Sequence, residues 1–171
     1  MYFYKLNFDR QRQYPCSPCL KRTIITAKKG ACLKANKIDH ICIAVKNLAQ
    51  ARKVYEETLG LELALTYMAE SEKIHVARYY LGDVALELME STDPSGDVAQ
   101  FIEKKGEGVF LMSYQVDDVN AGLTELKNQG KHPIDKKPRH LMGNRYAFIT
   151  PPGEMCGVLT EILDGEFDPE K

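Results

Sequence analysis

From Ile38 onward the chain alternates short apolar runs with breaks rich in Gly, Pro, Asn and Asp. Ile38-Asp39-His40-Ile41-Cys42-Ile43-Ala44-Val45 is apolar and β-branched, which predicts a strand. Leu48, Ala51, Tyr55 and Leu59 then recur at spacings of three and four. They predict a helix over Leu48–Leu59, capped by Asn47 and stopped by Gly60. Leu61–Thr66 reads as a short strand. Ile74–Leu81 and Val84–Glu90 read as two more, joined by a tight Gly82-Asp83 hairpin. After a break at Ser91–Gly96 and a connecting helix over Val98–Lys105, the pattern restarts. It predicts a strand at Val109–Val116 and a helix at Val119–Gln129, the helix capped by Asp117-Asp118 and ended by Gly130. A weak strand at His132–Lys136, a strong one at Arg145–Thr150, the loop Pro151-Pro152-Gly153 and a last strand at Gly157–Leu163 follow.

The two halves, about 38–90 and 108–164, superimpose as sequences. His40 precedes Val45 by the same interval as Leu111 precedes Val116. Each half ends on a strand with a glutamate at its centre, Leu86-Glu87-Leu88 and Thr160-Glu161-Ile162. The repeat predicts an α+β domain over 38–164, in which two paired βαβββ units form a cup-shaped mixed sheet with helices outside.

Strand alternation sorts the faces. Ile41, Ile43 and Val45, with their counterparts Met112, Tyr114 and Val116, form a bulky face suited to lie under helices. His40, Cys42 and Ala44, with Leu111, Ser113 and Gln115, form a smaller, more polar face suited to line a cavity. Glu87 and Glu161 sit mid-strand at equivalent positions. A buried carboxylate there is strongly disfavoured unless it is paired or bound to a metal; the alternative is a twisted strand that exposes it. With His40 on the same face, one imidazole and two carboxylates suit a divalent ion such as Co²⁺, Mn²⁺, Ni²⁺ or Zn²⁺.

Composition narrows the classes. A net charge of -1 over 171 residues gives no electrostatic footprint for nucleic acid. No apolar run approaches a membrane span, and no signal-type apolar stretch is present, so a cytoplasmic protein without nucleic-acid or membrane partners is expected. The five cysteines do not form a disulfide framework, and Cys42 and Cys156 read as packing residues. Cys16-Ser17-Pro18-Cys19 lacks a second pair to complete a zinc site. Residues 1–37 are basic and without periodicity, which predicts a flexible extension. Residues 165–171 read as a tail.

These motifs resemble a known family. Ile38–Val45 with Tyr55-Glu56-Glu57-Thr58-Leu59-Gly60-Leu61 is similar to the opening of methylmalonyl-CoA epimerases, in the vicinal-oxygen-chelate superfamily with glyoxalase I and bleomycin-resistance proteins. Leu81–Glu90 resembles that family's second metal-ligand strand. Gly143-Asn144-Arg145-Tyr146-Ala147-Phe148 and Gly157-Val158-Leu159-Thr160-Glu161 resemble its C-terminal pair. The resemblance implies a divalent metal held by His40, Glu87 and Glu161, an acyl-CoA substrate and a homodimer. It implies Glu161 as one catalytic acid/base. His75 falls where one branch of the family places a catalytic glutamate, and is the second candidate, expected to face the cavity with Ala77 and Tyr79. Asn144 and Arg145 are the candidate substrate-binding residues, with Arg139 and Lys137 as further basic candidates.

One family ligand is missing: Leu111 stands where a histidine belongs. The implied reaction is metal-assisted epimerisation of a 2-methyl-branched acyl-CoA by proton abstraction next to the thioester. A glyoxalase I-like lyase or isomerase is the alternative enzyme. A metal-free ligand-binding member of the superfamily is the alternative that Leu111 favours.

Overall fold

The computed structural model describes residues 33–170. The reading of the leader as a flexible extension therefore lies, through residue 32, outside the described residues, and so does that of Cys16 and Cys19. The first half comprises β1 (Lys37–Ala44), α1 (Leu48–Leu59), β2 (Leu63–Ala69), β3 (Ile74–Leu81) and β4 (Val84–Ser91). A connecting helix, α2 (Asp97–Lys105), leads to β5 (Gly108–Gln115), α3 (Val119–Asn128), β6 (Arg139–Leu141), β7 (Asn144–Thr150) and β8 (Leu159–Asp164).

Local chemistry explains the helix ends. Asn47 is extended and its side chain accepts from the Gln50 amide, while Gly60 takes a left-handed φ of 65° and closes the last turn onto Glu56. Asp118 caps α3 by accepting from the Ala121 amide.

The eight strands form one curled sheet in the order β2-β3-β4-β1-β5-β8-β7-β6. Each half carries the same parallel pair, β1 with β4 and β5 with β8. The halves join where β1 runs antiparallel to β5. Behind the first half, Val45, Leu48, Ala77, Tyr79 and Leu88 bury against α1, joined by Ile43. Behind the second, Val116, Val119, Leu123, Ala147 and Ile162 bury against α3. Burial of each large side chain contributes about 1.5–3 kcal/mol. The bulky faces lie under the helices, as the alternation implies. Helix α2 differs, since its Val98 joins the cup-side cluster with Cys42, Ala44 and Met89.

Most strand ends shift by one or two residues, and two elements shift further. The first half's second strand runs over Leu63–Ala69 rather than Leu61–Thr66. The segment His132–Lys136 is not a strand; the edge strand is Arg139–Leu141, folded onto β7 by the Met142-Gly143 turn. Pro133 removes a ladder donor from the earlier segment, and only Asp135 reaches β7, through both its amide and its carboxylate to Phe148.

The tail folds back over the β6–β7 turn. The Asp168 amide donates to the Met142 carbonyl at 2.8 Å. At the crossing, a Cβ on Gly143 would lie 2.5 Å from the Glu166 carbonyl oxygen, and φ there is 82°. Gly143→Ala is expected to destabilise the protein by about 1–3 kcal/mol in urea unfolding. Gly60→Ala has the same sign of φ but open space around it, and is expected to lose only about 1 kcal/mol. Equal losses would show that the close tail crossing adds nothing.

Candidate functional site

The inner face of the sheet encloses a cavity with a polar floor and apolar walls. Strand alternation brings His40 of β1, Glu87 of β4 and Glu161 of β8 onto that face, and all three line the cavity. The walls include Ile74, Met89, Phe110, Leu111, Phe148 and Leu159. Glu87 and Glu161 are 1% and 5% exposed, so the strands do not twist them into solvent.

Each of the three polar side chains is held from behind. The His40 Nδ1 meets Asp39 Oδ1 at 2.9 Å, leaving Nε2 for the cavity. Glu87 Oε1 accepts from Arg78 Nη1 at 2.5 Å and from the Tyr67 hydroxyl at 2.8 Å. Glu161 Oε1 accepts from Ser113 Oγ at 2.6 Å. The groups they present converge: His40 Nε2 lies 3.9 Å from Glu87 Oε2 and 3.6 Å from Glu161 Oε1. Metal-ligating imidazoles and carboxylates are commonly oriented this way by partners on their far side, so the residues present fit a divalent ion. Leu111, where the fourth donor would stand, is an apolar wall at 4% exposure.

The electrostatics follow from this packing. Burial alone would depress the His40 imidazole, but Glu87, the Asp39 hydrogen bond and Glu161 outweigh it and raise it to about 9. Burial pushes Glu161 up to about 7, with His40 and Ser113 only partly offsetting it. Burial would also raise Glu87, yet His40, Arg78 and Tyr67 hold it below the usual carboxylate range. Burial, then Glu87 and Glu161, push the Cys42 thiol well above its usual value.

The raised imidazole carries a stability consequence in chelator-treated protein. His40 favours folding fully below its unfolded value of 6.5, and that contribution disappears as pH rises through about 9. The thermal midpoint of the metal-stripped protein should therefore fall between pH 6.5 and 9 by the equivalent of roughly 3 kcal/mol. In His40→Gln the fall over this window should shrink to the part that Glu161 carries; an unchanged fall would remove His40 as a source.

Not every expected residue reaches the cavity. His75 shares its face of β3 with Ala77 and Tyr79, as expected, but that face packs on α1. The cup side of β3 carries Ile74, Val76 and Arg78, so His75 points away. Arg145 also faces outward. It forms a paired contact with Asp164 at 2.7 and 2.8 Å, and Asp164 in turn accepts from the Val119 amide at the start of α3. Its neighbour Asn144 does line the cavity, with a buried Oδ1 that lacks a hydrogen-bond partner. Arg139 pairs with Glu72 and Asp135, and Lys137 is exposed.

The cavity also holds residues that the sequence reading left out. Glu72 lines it and accepts from the Tyr146 hydroxyl at 2.7 Å and from Arg139 at 3.1 Å. Phe167, in the tail, lines it as well, stacked 4.4 Å above the Arg78 guanidinium and 5.6 Å from the Tyr67 ring. Arg78 was legible from the hairpin: counting back from Gly82-Asp83 pairs it with Glu87. Phe167 carried no such signal, because it follows the last strand.

Comparisons with known proteins agree with this geometry. Residues 39–148 match the glyoxalase/bleomycin resistance protein/dioxygenase superfamily. The chain is 37% identical over 134 residues to an uncharacterized protein, YqjC, of Bacillus subtilis, covering 78% of this chain and 95% of that one. It is 22% identical over 156 residues to the mitochondrial methylmalonyl-CoA epimerase of Bos taurus, covering 85% of this chain and 89% of that one. Among solved structures, a methylmalonyl-CoA epimerase in complex with methylmalonyl-CoA and NH4+ superimposes with a TM-score of 0.71 at 30% identity, over 76% of this chain and 94% of that one. By the cup, the repeat and the matched residues, the chain belongs to the glyoxalase/bleomycin resistance protein/dioxygenase superfamily.

Proposed function

We propose that this protein epimerises a 2-methyl-branched acyl-CoA of the methylmalonyl-CoA type, by moving a proton at the carbon next to the thioester. The observation that carries the proposal is the placing of His40, with Glu87 and Glu161 within 4 Å of its Nε2, at the floor of a cup with largely apolar walls. The solved relative that holds methylmalonyl-CoA supports the substrate class.

His40, Glu87 and Glu161 would hold a divalent ion. Such an ion supplies Lewis-acid stabilisation of the negative charge that develops on the thioester oxygen. The chain's own residues do the rest. Glu161 takes the proton from one face of the substrate carbon, held in place by Ser113. Inversion needs a second proton carrier on the opposite face. Glu72 takes that role in place of the outward-facing His75, steadied by Tyr146 and Arg139. Asn144 lines the cavity and is the remaining substrate-binding candidate from the sequence. The apolar walls exclude water, which strengthens each of these polar contacts.

The test offers two substrates to the metal-loaded protein. One C2 epimer of methylmalonyl-CoA should be converted to the mixture of both epimers, followed by chromatography, and a hemithioacetal should be left unchanged. Turnover of the hemithioacetal alone would move the protein to a glyoxalase-like reaction.

A further inference from the structure

We propose that Cys42 is a fourth metal ligand, supplying a sulfur donor in place of the one lost at Leu111. The inference rests on the reading of His40, Glu87 and Glu161 as a metal site. It is carried by register and spacing. Cys42 lies two residues from His40 on the same face of β1, is fully buried, and pairs in the sheet with Glu87 on one side and Leu111 on the other. Paired residues on neighbouring strands put their side chains on one face, so Cys42 sits beside Leu111 on the cup side of the sheet, buried just beneath the cavity lining against Glu87.

The distances suit coordination. Cys42 Sγ lies 3.5 Å from Glu87 Oε2, and donor atoms of His40, Cys42 and Glu87 all fall within 4.8 Å of one another. Ligand atoms bound about 2.0–2.3 Å from one tetrahedral ion lie roughly 3.3–3.8 Å apart. The Cys42–Glu87 and His40–Glu87 separations of 3.5 and 3.9 Å are close to that spacing; Glu161 lies 3.6 Å from His40 but outside the group of three, so it would join the ion from the His40 side.

The internal repeat argues against a mere hydrogen-bonding role. Ser113 occupies the equivalent place in the second half and makes a 2.6 Å bond to Glu161. A hydroxyl does that task well, whereas a thiol at 3.5 Å from Glu87 does it weakly. What the thiol adds is a soft donor. On binding, the Cys42 S–H bond breaks, its proton leaves to solvent and a sulfur–metal bond forms, with no change of oxidation state. A thiolate with imidazole and carboxylate selects Zn²⁺ or Co²⁺ over Mg²⁺ or Mn²⁺.

Cobalt substitution reads the sulfur directly. Because Cys16, Cys19, Cys32 and Cys156 are also thiols, the test protein carries all four as serine and keeps Cys42. Stripped and reloaded with Co²⁺, it should bind one equivalent and show an intense near-ultraviolet sulfur-to-cobalt charge-transfer band. Adding Cys42→Ser should abolish the band and weaken Co²⁺ binding about tenfold or more. Stoichiometric Co²⁺ without the band overturns the proposal and leaves the three-residue site standing. No bound Co²⁺ overturns both. The band is read in the protein that retains Cys42, so a folding defect in Cys42→Ser does not decide the outcome.

Discussion

Glu161→Gln is expected to slow epimerisation, and solvent exchange of the epimer whose α-proton faces Glu161, by about 10³-fold, while leaving the fold at least as stable as before. The substitution keeps the volume of the side chain and an oxygen for Ser113 to donate to. It removes the carboxylate proposed to accept the proton and replaces a charged oxygen donor of the proposed metal site with a neutral one. The stability half of the prediction has a separate cause. Burial raises the Glu161 carboxyl to about 7, well above its unfolded value of 4.5. In metal-stripped protein the contribution of Glu161 to folding is present below pH 4.5 and declines as pH rises through about 7. At pH 8 an uncharged amide should relieve that strain, so the thermal midpoint should hold or rise. Activity lost together with the fold would mark Glu161 as structural. Epimerisation retained within about tenfold would remove it as the proton acceptor.

Arg78→Met is expected to destabilise the protein by about 3–5 kcal/mol in urea unfolding. The Arg78 side chain is 5% exposed and that of Glu87 is 1% exposed, so neither charge is solvated. Removing Arg78 takes away the one cation among the described residues that hydrogen-bonds Glu87 and leaves only the more distant His40 imidazole to offset its buried charge. Tyr67 still donates to Glu87, but His40 Nε2, at 3.9 Å, is too far for a hydrogen bond. The double variant Arg78→Met/Glu87→Gln should recover most of the loss, because the stranded charge is then gone. A single-variant loss under about 1 kcal/mol would mean that the pair is solvated in solution.

The sequence made the architecture legible because the fold is written twice. The interval from His40 to Val45, repeated from Leu111 to Val116, set both parallel strand pairs and put Glu87 and Glu161 at matching places. Capping residues placed α1 at its observed bounds. What failed was local phase. His75 was assigned to the right face-mates but to the wrong side of the sheet, since periodicity groups Ala77 and Tyr79 with it without saying which way the group points. Counting cross-strand pairs from the Gly82-Asp83 turn resolves this, because Glu87 faces the cup and its partner is Arg78, one face away from His75. Arg145 was drawn in by its charge and its place in a family-like motif. The ion pair that turns it outward depends on Asp164, on the neighbouring strand of the sheet. Phe167 and Glu72 reach the cavity from a tail and a short turn, where no period exists to read.

The central claim is proton transfer next to a thioester in this cup, and solvent deuterium tests it most directly. The metal-loaded protein is incubated with methylmalonyl-CoA in D₂O, and the α-proton resonance is followed by NMR against a protein-free control. Enzyme-dependent loss of the resonance is predicted for both epimers, with Glu161→Gln abolishing it for the epimer whose α-proton faces Glu161. An unchanged resonance in the presence of protein with stoichiometric bound metal would contradict it.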